Sequence, residues 1–539
     1  MAPQAHAEYD VVCLGSGAAG LTAAIAAHEL GLSVLVVEKS SKIGGVAAIS
    51  GGQAWIPANH LAEEAGIEDS VEDAVAYLMW IGGGLGDEAR ARHYCTYARQ
   101  AVRFLADHAG LAWQIVPVAD DYHGHPEARH SLGPGRLLEV ELFPGSSLGA
   151  AQSFTRHGPE RITASEVYTV APPEAEIEAR RERDERGHGG SLLGSLVKNV
   201  LERGIDVWRD APATELLVAD GRVSGVRATH EGSVVEVAAR RGVVVATGGY
   251  DSSAADRASF DADHAVSTSS LPSVTGDHFR LAGRLGARVA APFRLPHNFH
   301  LPGVPVIRDA DGVVQRDASI VRSAAMHAVV VNRRGRRFAD ETTSASRDAG
   351  LFAVDVHEPW KFANNPCWAV WDAQHVARYL DPEAMQTPGV VSAPSLKELA
   401  VAAGIDPDGL EEEIARFNAN VALGTDPDFG RGSPNAGHIH GGDRSGAEES
   451  TLGTIEQPPF HAVRLVQTTM GLPHAGLVTD GFGRVLDWDD VPIEGLYAAG
   501  GSVAFLEFGL NYTPGNANAR SLLQGFCAGS HLGSSAGHP

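Results

Sequence analysis

Cysteine is scarce in this sequence. Four of the 539 residues are cysteine, and no two of them form a Cys-x-x-Cys pair. Disulfide frameworks, zinc sites, iron–sulfur clusters and attached haem all depend on grouped cysteines, so none of them is indicated. A chain without such groupings is typical of a reducing compartment, and we expect a cytoplasmic protein that holds no metal.

Long apolar runs and an excess of positive charge are lacking as well. No uninterrupted run reaches the about 20 apolar residues that cross a bilayer, and the N-terminus has no basic segment followed by an apolar one, as a signal peptide would have. The formal net charge of −24 opposes binding to nucleic acid and to anionic membranes, since Lys and Arg carry such binding. We therefore expect no nucleic-acid partner and no membrane span.

A strand, a glycine-rich turn and a helix open the chain. The β-rich run 9–14 is followed by Gly-Ser-Gly-Ala-Ala-Gly at 15–20 and by an apolar helix pattern. Gly15 permits the tight turn, Gly17 lets backbone N–H groups approach a pyrophosphate, and Gly20 lets the helix pack on the strand. The pattern predicts a Rossmann-like dinucleotide site, with NAD and FAD both open.

The next segments favour a flavin. A second strand, 32–37, ends in Glu38, which is placed to accept hydrogen bonds from the ribose hydroxyls of an adenine dinucleotide. The patch 44–52 then carries two Gly-Gly pairs separated by small residues, and a flat ligand can approach such a backbone closely. An NAD-dependent Rossmann unit would not need this second patch.

Two later apolar strands also end in glycines, at 242–249 and 495–501, as expected of buried parallel strands whose ends meet a cofactor. Between them, residues 287–456 contain more proline, tryptophan and asparagine. The sequence therefore predicts an α/β protein with a discontinuous Rossmann-like domain, residues 1–286 and 457–539, and an inserted α+β catalytic (capping) domain, residues 287–456.

Hydrophobic periodicity predicts further elements. The predicted helices are 71–109 (as two), 192–203, 396–403 and 410–421, and the predicted strands are 205–208, 213–219, 222–229 and 327–332. Asp220-Gly221 predicts a hairpin turn. The charge run at 175–186 predicts an exposed helix or a mobile segment. The polar segments 120–127 and 437–443 are better explained as solvated loops than as metal sites.

The ordered set of motifs resembles the flavoprotein family of fumarate reductases and 3-ketosteroid Δ1-dehydrogenases, over nearly the whole chain. The ketosteroid branch is the more similar, because Trp55-Ile56-Pro57 and Asp121-Tyr122-His123 are typical of it. The other motifs that carry the resemblance are the four glycine patches named above, Asn511–Ala517, Gly335–Glu341 and Asp426–Gly432.

The resemblance implies FAD, with its isoalloxazine ring between the two domains. Succinate dehydrogenase relatives attach FAD through a histidine where Gly45 stands here, so we expect non-covalent FAD. Gly501 also departs from relatives that carry Glu or Asn at this place. The expected cofactor-binding residues are Gly15, Ser16, Gly17, Ala18, Ala19, Gly20, Glu38, Lys39, Gly44, Gly45, Ser50, Gly51, Gly52, Ala213, Thr247, Gly248, Gly249, Asp277, Gly500, Gly501, Asn516, Ala517 and Leu522.

Such enzymes remove or add two hydrogens across a C–C bond next to a carbonyl. Tyr512 falls where the ketosteroid branch has its carbonyl-polarising tyrosine, and a backbone N–H of Gly515 or Asn516 is the expected second donor. Fumarate reductases have an arginine at this place to hold a carboxylate. Tyr512 therefore favours a ketone over a dicarboxylate as the substrate.

The base stays open among Arg347, Tyr122 and His474. The tyrosine that the ketosteroid branch carries shortly after the segment matching Glu341 is missing here, so a smaller cyclic ketone of the cyclohexanone type fits the same chemistry as a steroid. We expect an oxidoreductase that introduces a C=C bond α,β to a cyclic ketone, with an unknown external electron acceptor. The alternatives are the reverse reaction, by an enoate or enone reductase, and a non-catalytic flavin redox sensor.

Overall fold

The computed structural model describes residues 5–123, 125–261, 267–268, 270–292, 297–300, 307–308, 314–315, 325–341, 350, 353–356, 358, 361–380, 385–432, 451–469, 471–510 and 513–534. Tyr512 and Arg347, two of the predicted catalytic residues, lie outside these ranges, as does the loop 437–443.

The strands are β1 (Ala5–Leu14), β2 (Val34–Val37), β3 (Ala54–Trp55), β4 (Trp113–Ile115), β5 (Leu137–Val140), β6 (Phe143–Pro144), β7 (Glu185–Arg186), β8 (Asp206–Trp208), β9 (Ala213–Ala219), β10 (Arg222–His230), β11 (Ser233–Val245), β12 (Ser267–Thr268), β13 (Val289–Ala290), β14 (His297–His300), β15 (Ile307–Arg308), β16 (Val314–Gln315), β17 (Ala328–Asn332), β18 (Cys367–Trp371), β19 (Val391–Ala393), β20 (Phe460–Thr469), β21 (Gly476–Leu477), β22 (Arg484–Leu486) and β23 (Pro492–Ala498).

The α-helices are α1 (Ala18–Glu29), α2 (His60–Glu64), α3 (Val71–Ile81), α4 (Glu88–Ala109), α5 (Ala164–Tyr168), α6 (Glu174–Glu182), α7 (His188–Glu202), α8 (Ala254–Phe260), α9 (Asp277–Gly283), α10 (Ala373–Tyr379), α11 (Leu396–Ala403), α12 (Pro407–Ala422) and α13 (Asn516–Ser534). Short 3₁₀ helices cover Val46–Ile49, Gly145–Phe154 and Gly500–Ser502.

A largely parallel sheet forms the first layer, with strand order β22-β23-β11-β1-β2-β8 and the β9–β10 hairpin paired to β11. Its centre is apolar on both faces: Val11, Val12 and Cys13 of β1 are fully buried, as are Val243 and Val244 of β11. Such strands are buried on both sides because helices cover both faces of a parallel sheet.

Strand β11 is longer than predicted. The sequence predicts only its continuous apolar end from Gly242, whereas the strand begins at Ser233. Strand β1 pairs parallel with nearly all of β11, from Val235 to Val245. Strand β10 pairs antiparallel with the first half of β11, and β23 pairs parallel with its last three residues. The first half alternates between buried and exposed residues, because one of its faces meets solvent, and this weaker pattern hid it.

The C-terminal helix α13 packs directly on α1. A Cβ atom at Gly525 would overlap the carbonyl oxygen of Ala19, and one at Gly529 would overlap that of Ala23. Only glycine allows two helix backbones to come this close. This contact brings the start of α13 to the end of the sheet where the glycine-rich turn lies, as the predicted discontinuous domain requires.

A second sheet is built mainly from the middle of the chain, with strand order β12-β20-β18-β17 and with β14 and β19 also paired to β20. Strand β20 follows the predicted domain end at residue 456, and β12 precedes the predicted start at 287. The second sheet therefore recruits a strand from each flank of the predicted insert.

A buried ion network ties this second region together. Arg337 lies 2.8 Å from Glu341 and 3.0 Å from Asp426, and Arg431 lies 3.0 Å from Glu341. All four side chains are fully buried. Burial alone would raise the pKa of Glu341, but the two guanidinium groups lower it to about 2.

Among the described helices, none is both long and apolar enough to cross a membrane.

Replacing Glu341 by Gln is expected to destabilise the protein by about 3–5 kcal/mol at pH 7, because it leaves two buried arginines with less compensating charge. Since the folded pKa of Glu341 is depressed, its contribution is fully present above the ordinary carboxyl pKa of about 4.3 and is lost as the pH falls toward 2. Urea unfolding of both proteins at pH 7 and at a series of pH values from about 5 down to about 2.5 measures this difference and its loss.

The matched control is Glu412→Gln, which removes a solvent-exposed partner of Arg336. Exposed pairs contribute about 0–1 kcal/mol, so this variant should unfold close to the wild type. Equal losses in the two variants would contradict the assigned role of the buried network.

Candidate active site

A cavity of about 660 Å³ lies at the carboxyl ends of the parallel strands. Leu14, Val37, Ala246 and Ala499, at or just after the ends of β1, β2, β11 and β23, line it. Ligands of open α/β sheets bind at this edge, and the volume suits a cofactor site.

Most of the predicted cofactor-binding residues line this cavity. They are Gly15, Ser16, Gly17, Ala18, Ala19, Glu38, Lys39, Gly45, Ser50, Gly51, Gly52, Ala213, Thr247, Gly248, Gly249, Asp277, Gly500, Gly501 and Ala517. Four others, Gly20, Gly44, Asn516 and Leu522, are not among its lining residues.

The glycine-rich turn has the geometry of an anion site. Gly15 has φ +106°, and a Cβ there would overlap the Ala246 carbonyl oxygen, whereas a Cβ at Gly17 would meet nothing within 4 Å. Gly17 is the N-cap of α1 and gives no side-chain cap, and the first turn of α1 holds no acidic residue. The first N–H groups of α1 are thus left for a negatively charged ligand.

Glu38 is held in place by this same turn. Its Oε2 accepts hydrogen bonds from Ser16 N at 3.0 Å and Ser16 Oγ at 2.6 Å, and its Oε1 accepts one from Ser40 N at 2.8 Å. The carboxylate keeps further lone pairs on both oxygens. That Glu38 accepts hydrogen bonds from the ribose hydroxyls stays a prediction. The hydrogen bonds from Ser16 and Ser40 orient the carboxylate for this role.

Lys39 and Asp277 form an ion pair on the wall beside Glu38. Lys39 Nζ lies 2.6 Å from Asp277 Oδ2 and donates to Thr275 Oγ1 at 2.8 Å. Burial alone would raise the pKa of Asp277, but Lys39, with added hydrogen bonds from Arg280 and Thr275, lowers it below its ordinary value. The pair joins the end of β2 to the start of α9.

The start of α13 forms part of the cavity wall and packs against the glycine patch 44–52 and β3. Asn518 Nδ2 donates to Gln53 O at 2.9 Å and lies 3.3 Å from Ser50 Oγ. Gly515 has φ +87°, and a Cβ there would lie 2.6 Å from Trp55 N. The glycine patch 44–52 and the C-terminal helix therefore build one wall.

The polar residues on the cavity wall that sequence reasoning missed include Glu160, Tyr168 and His188. Glu160 precedes the short helix α5, Tyr168 is its last residue, and His188 begins α7. Their sequence context resembles an ordinary polar surface. The signal that was available is the Gly187-His188-Gly189-Gly190 run at the predicted start of a helix, a further place for close backbone approach.

Tyr122 and His474, two candidate bases, lie outside the cavity lining. The Tyr122 ring packs edge-on against Trp80, with centroids 5.5 Å apart. His474 is buried, with Nε2 3.0 Å from Phe260 O and Nδ1 3.3 Å from the Tyr250 hydroxyl. This arrangement does not favour His474 as a base.

The prediction of a solvated loop at 120–127 is wrong at its start. Asp120 is buried, and its carboxylate accepts hydrogen bonds from Trp55 Nε1 and Arg136 NH1, both at 2.8 Å. Burial, with the nearby Asp120 charge, raises the pKa of Asp121 to about 7. The sequence could not show this because Arg136, the partner of Asp120, lies outside the loop.

The start of α13 is fixed by the same aromatic region. Asn516 is fully buried, and its Oδ1 lies 3.0 Å from the hydroxyl of Tyr94, which also contacts Trp55 O at 2.7 Å. Gly515 lines the cavity.

Within the described ranges, no group of three or more His, Cys, Asp or Glu residues is placed to hold a metal ion.

Comparison with known proteins bears directly on what this cavity holds. The family described as "FAD binding domain" matches residues 10–517. The chain belongs to this FAD-binding family. The predicted FAD cofactor is thereby confirmed, and the glycine turn, the oriented Glu38 and the cavity fit it. Gly45 lines the cavity and has no side chain to which a flavin could be attached.

Members of the family resemble this chain along nearly its full length. The 4-oxocyclohexanecarboxylate 2-dehydrogenase of Sinomonas cyclohexanicum is 32% identical over 518 residues, covering 91% of this chain and 87% of the relative. The 3-oxosteroid 1-dehydrogenase of Mycobacterium tuberculosis is 30% identical over 572 residues, covering 98% and 99%.

A solved structure agrees with these relatives. The 3-ketosteroid Δ1-dehydrogenase of Sterolibacterium denitrificans, in complex with 1,4-androstadiene-3,17-dione, matches with a TM-score of 0.86 and 28% identity, covering 98% of this chain and 100% of that chain. The predicted family, the α/β fold with an FAD-binding domain and the oxidoreductase class are confirmed.

Replacing Gly17 by Ala is expected to weaken FAD binding at least tenfold without unfolding the protein. Its φ of −75° suits alanine and no protein atom lies within 4 Å of the added methyl group, but the residue lines the cavity beside the start of α1. Titration of the apoprotein with FAD, followed by the flavin absorbance, measures the effect.

Gly283→Ala is the matched control, because its Cβ also meets nothing within 4 Å and the residue does not line the cavity. This variant should bind FAD as the wild type does. Unchanged FAD affinity in both variants would show that the turn at Gly17 does not approach the cofactor.

Proposed function

We propose that this protein is an FAD-dependent dehydrogenase that introduces a C=C bond next to the carbonyl of a cyclic ketone. The observation that carries this proposal is the similarity over nearly the full chain to two enzymes named for dehydrogenating cyclic ketones, one a cyclohexanone carboxylate and one a 3-oxosteroid. The cofactor cavity of this chain supports it.

The reaction removes a proton from the carbon α to the carbonyl and a hydride from the β-carbon. When bound, FAD supplies the hydride acceptor. The α-proton becomes removable when the carbonyl oxygen is held by hydrogen-bond donors that stabilise the developing negative charge. The protein must therefore provide these donors and a base.

The donors that we propose are the hydroxyl of Tyr512 and the backbone N–H of Gly515 or Asn516. The described part of this segment is held firmly: Gly515 packs on the backbone of Trp55, and the Asn516 side chain contacts Tyr94. Asn516 N donates to Thr513 O at 3.3 Å, so the N–H of Gly515 is the preferred second donor. A helix start that is fixed in this way needs little reorganisation during the reaction.

For the base we retain Arg347 and Tyr122. Tyr122 is supported by its position next to Asp121, whose pKa is raised to about 7 by burial and by the Asp120 charge. The Tyr122 ring packs against Trp80 outside the described cavity lining, so Tyr122 gains no preference over Arg347. His474 is disfavoured, since both of its ring nitrogens already have polar neighbours.

Anaerobic mixing of the holoenzyme with 4-oxocyclohexanecarboxylate or a 3-ketosteroid is expected to bleach the oxidised flavin absorbance, which stopped-flow spectroscopy measures. The ketone that reduces the flavin faster identifies the substrate branch. If only the corresponding enone reoxidises the reduced enzyme, the protein is an enone reductase. If neither ketone nor enone changes the spectrum, the hypothesis of a non-catalytic flavin redox sensor is supported.

Replacing Tyr512 by Phe is expected to slow flavin reduction by the ketone about 10²–10³-fold, because one donor to the carbonyl oxygen is lost. FAD affinity should stay unchanged, which separates the catalytic role from a structural one. Tyr9→Phe serves as the control, since the Tyr9 hydroxyl contacts Asp206 away from the cavity. Reduction at the wild-type rate in Tyr512→Phe would refute the assignment.

A further inference from the structure

His188 occupies an unusual place on the cavity wall. It is the first residue of the 15-residue helix α7, and it is one of the residues that line the cavity. Its backbone lies against the glycine patch: a Cβ at Gly52 would overlap the His188 carbonyl group, and Gly189 N donates to Ser50 O at 2.9 Å. The loop 50–52 and the start of α7 therefore fix each other.

The backbone of His188 is strained. Its φ of +50° lies in the left-handed region, which is unfavourable for a residue with a side chain. The contacts with Gly52 and Ser50 impose this conformation. Strain of this kind is retained where the surrounding structure holds a side chain in a required direction, and it is concentrated at ligand-binding sites.

The ring of His188 has an unsatisfied polar atom. Nε2 is shielded from solvent, and no hydrogen-bond partner for it exists in the ranges that the structure describes. Buried polar atoms in proteins are almost always hydrogen-bonded, so an exception calls for a partner that is added later. A side chain that faces a ligand cavity finds that partner in the ligand.

The surroundings indicate which part of the ligand this is. All described lining residues lie in 14–281 and 471–521, so the described part of the second sheet contributes none to this wall. His188 lies with Gly51 and Gly52, beside the wall against which Asn518 packs, whereas Glu38 and Lys39 lie at the end of β2. An isoalloxazine ring that lies at this wall would present ring carbonyl oxygens and ring nitrogens to His188.

We propose that His188 Nε2 hydrogen-bonds the polar edge of the isoalloxazine ring and so contributes to FAD affinity and to the electronic properties of the flavin. This contact does not depend on the identity of the ketone or on the direction of the reaction. It rests only on FAD binding in this cavity.

The test replaces His188 by Gly. Glycine adopts the left-handed backbone without strain, so the apoprotein should unfold at a temperature no lower than that of the wild type. The FAD dissociation constant of the apoprotein should rise at least tenfold, and the visible absorption band of bound flavin should shift. Titration followed by absorbance and fluorescence measures both.

Asp220→Gly is the matched control, because Asp220 has φ +52°, is exposed and does not line the cavity. It relieves the same kind of strain and should leave FAD affinity and the flavin spectrum unchanged. His188→Gln should restore much of the wild-type affinity, since its amide nitrogen reaches about as far as Nε2, whereas the shorter amide of His188→Asn should not.

The proposal would be overturned if His188→Gly bound FAD with an affinity within twofold of the wild type and gave a flavin spectrum that matched the wild type within error. An effect seen only on the affinity for the ketone would also overturn it, because it would place His188 against the substrate. If the glycine variant fails to fold, His188→Asn carries the test, because asparagine tolerates this backbone region and is expected to lose the same contact.

Discussion

The close approach of backbones at glycine is the constraint on which this structure depends. At Gly525 and Gly529 the C-terminal helix comes so near to α1 that no side chain fits between them. At Gly15 the first turn touches the chain just after β11 in the same way. These contacts bring together three segments that lie far apart in sequence, and the cofactor cavity is the space left between them.

Both halves of the molecule combine apolar burial with buried charge pairs. In the first half, glycine contacts join α1 to α13, and buried ion pairs such as Arg136–Asp120 and Arg520–Glu507 add to them. In the second region, Glu341 lies between Arg337 and Arg431, and an apolar core lies beside this network. Charge networks of this kind fix geometry strongly, because displacing one member leaves another charge uncompensated. Glu341 also ends the described segment that precedes Arg347.

The sequence predicts those parts of the fold and the site that depend on residues close together in the chain. The turn at Gly15 and Gly17 could be predicted because a strand, glycines and a helix follow one another directly. The hydrogen bonds from Ser16 to Glu38 that hold this turn could not be predicted, since Glu38 was assigned only to the ribose. The sequence did not predict that residues 460–469, outside the predicted insert, form a strand of the second sheet, because pairing over this distance leaves no local mark.

The same reasoning explains the polar residues that were misjudged. The sequence predicts that Asp120 is an exposed loop residue, whereas in the structure Arg136 and Trp55 donate hydrogen bonds to its buried carboxylate. His188 reads as an ordinary residue at a helix start until its backbone angle and its cavity-facing ring are known. In both cases the deciding partner comes from a distant part of the chain, and a single sequence carries no signal of that pairing.

The packing of α13 on α1 also bears on the order of events during synthesis. Strand β1 and α1 leave the ribosome long before α13, so the nucleotide end of the cavity is translated early while its flavin end lacks a wall. Pairing over such a sequence separation is slow, because a long loop must close before the contacts form. Firm retention of the cofactor is therefore expected only after α13 has left the ribosome and packed on α1.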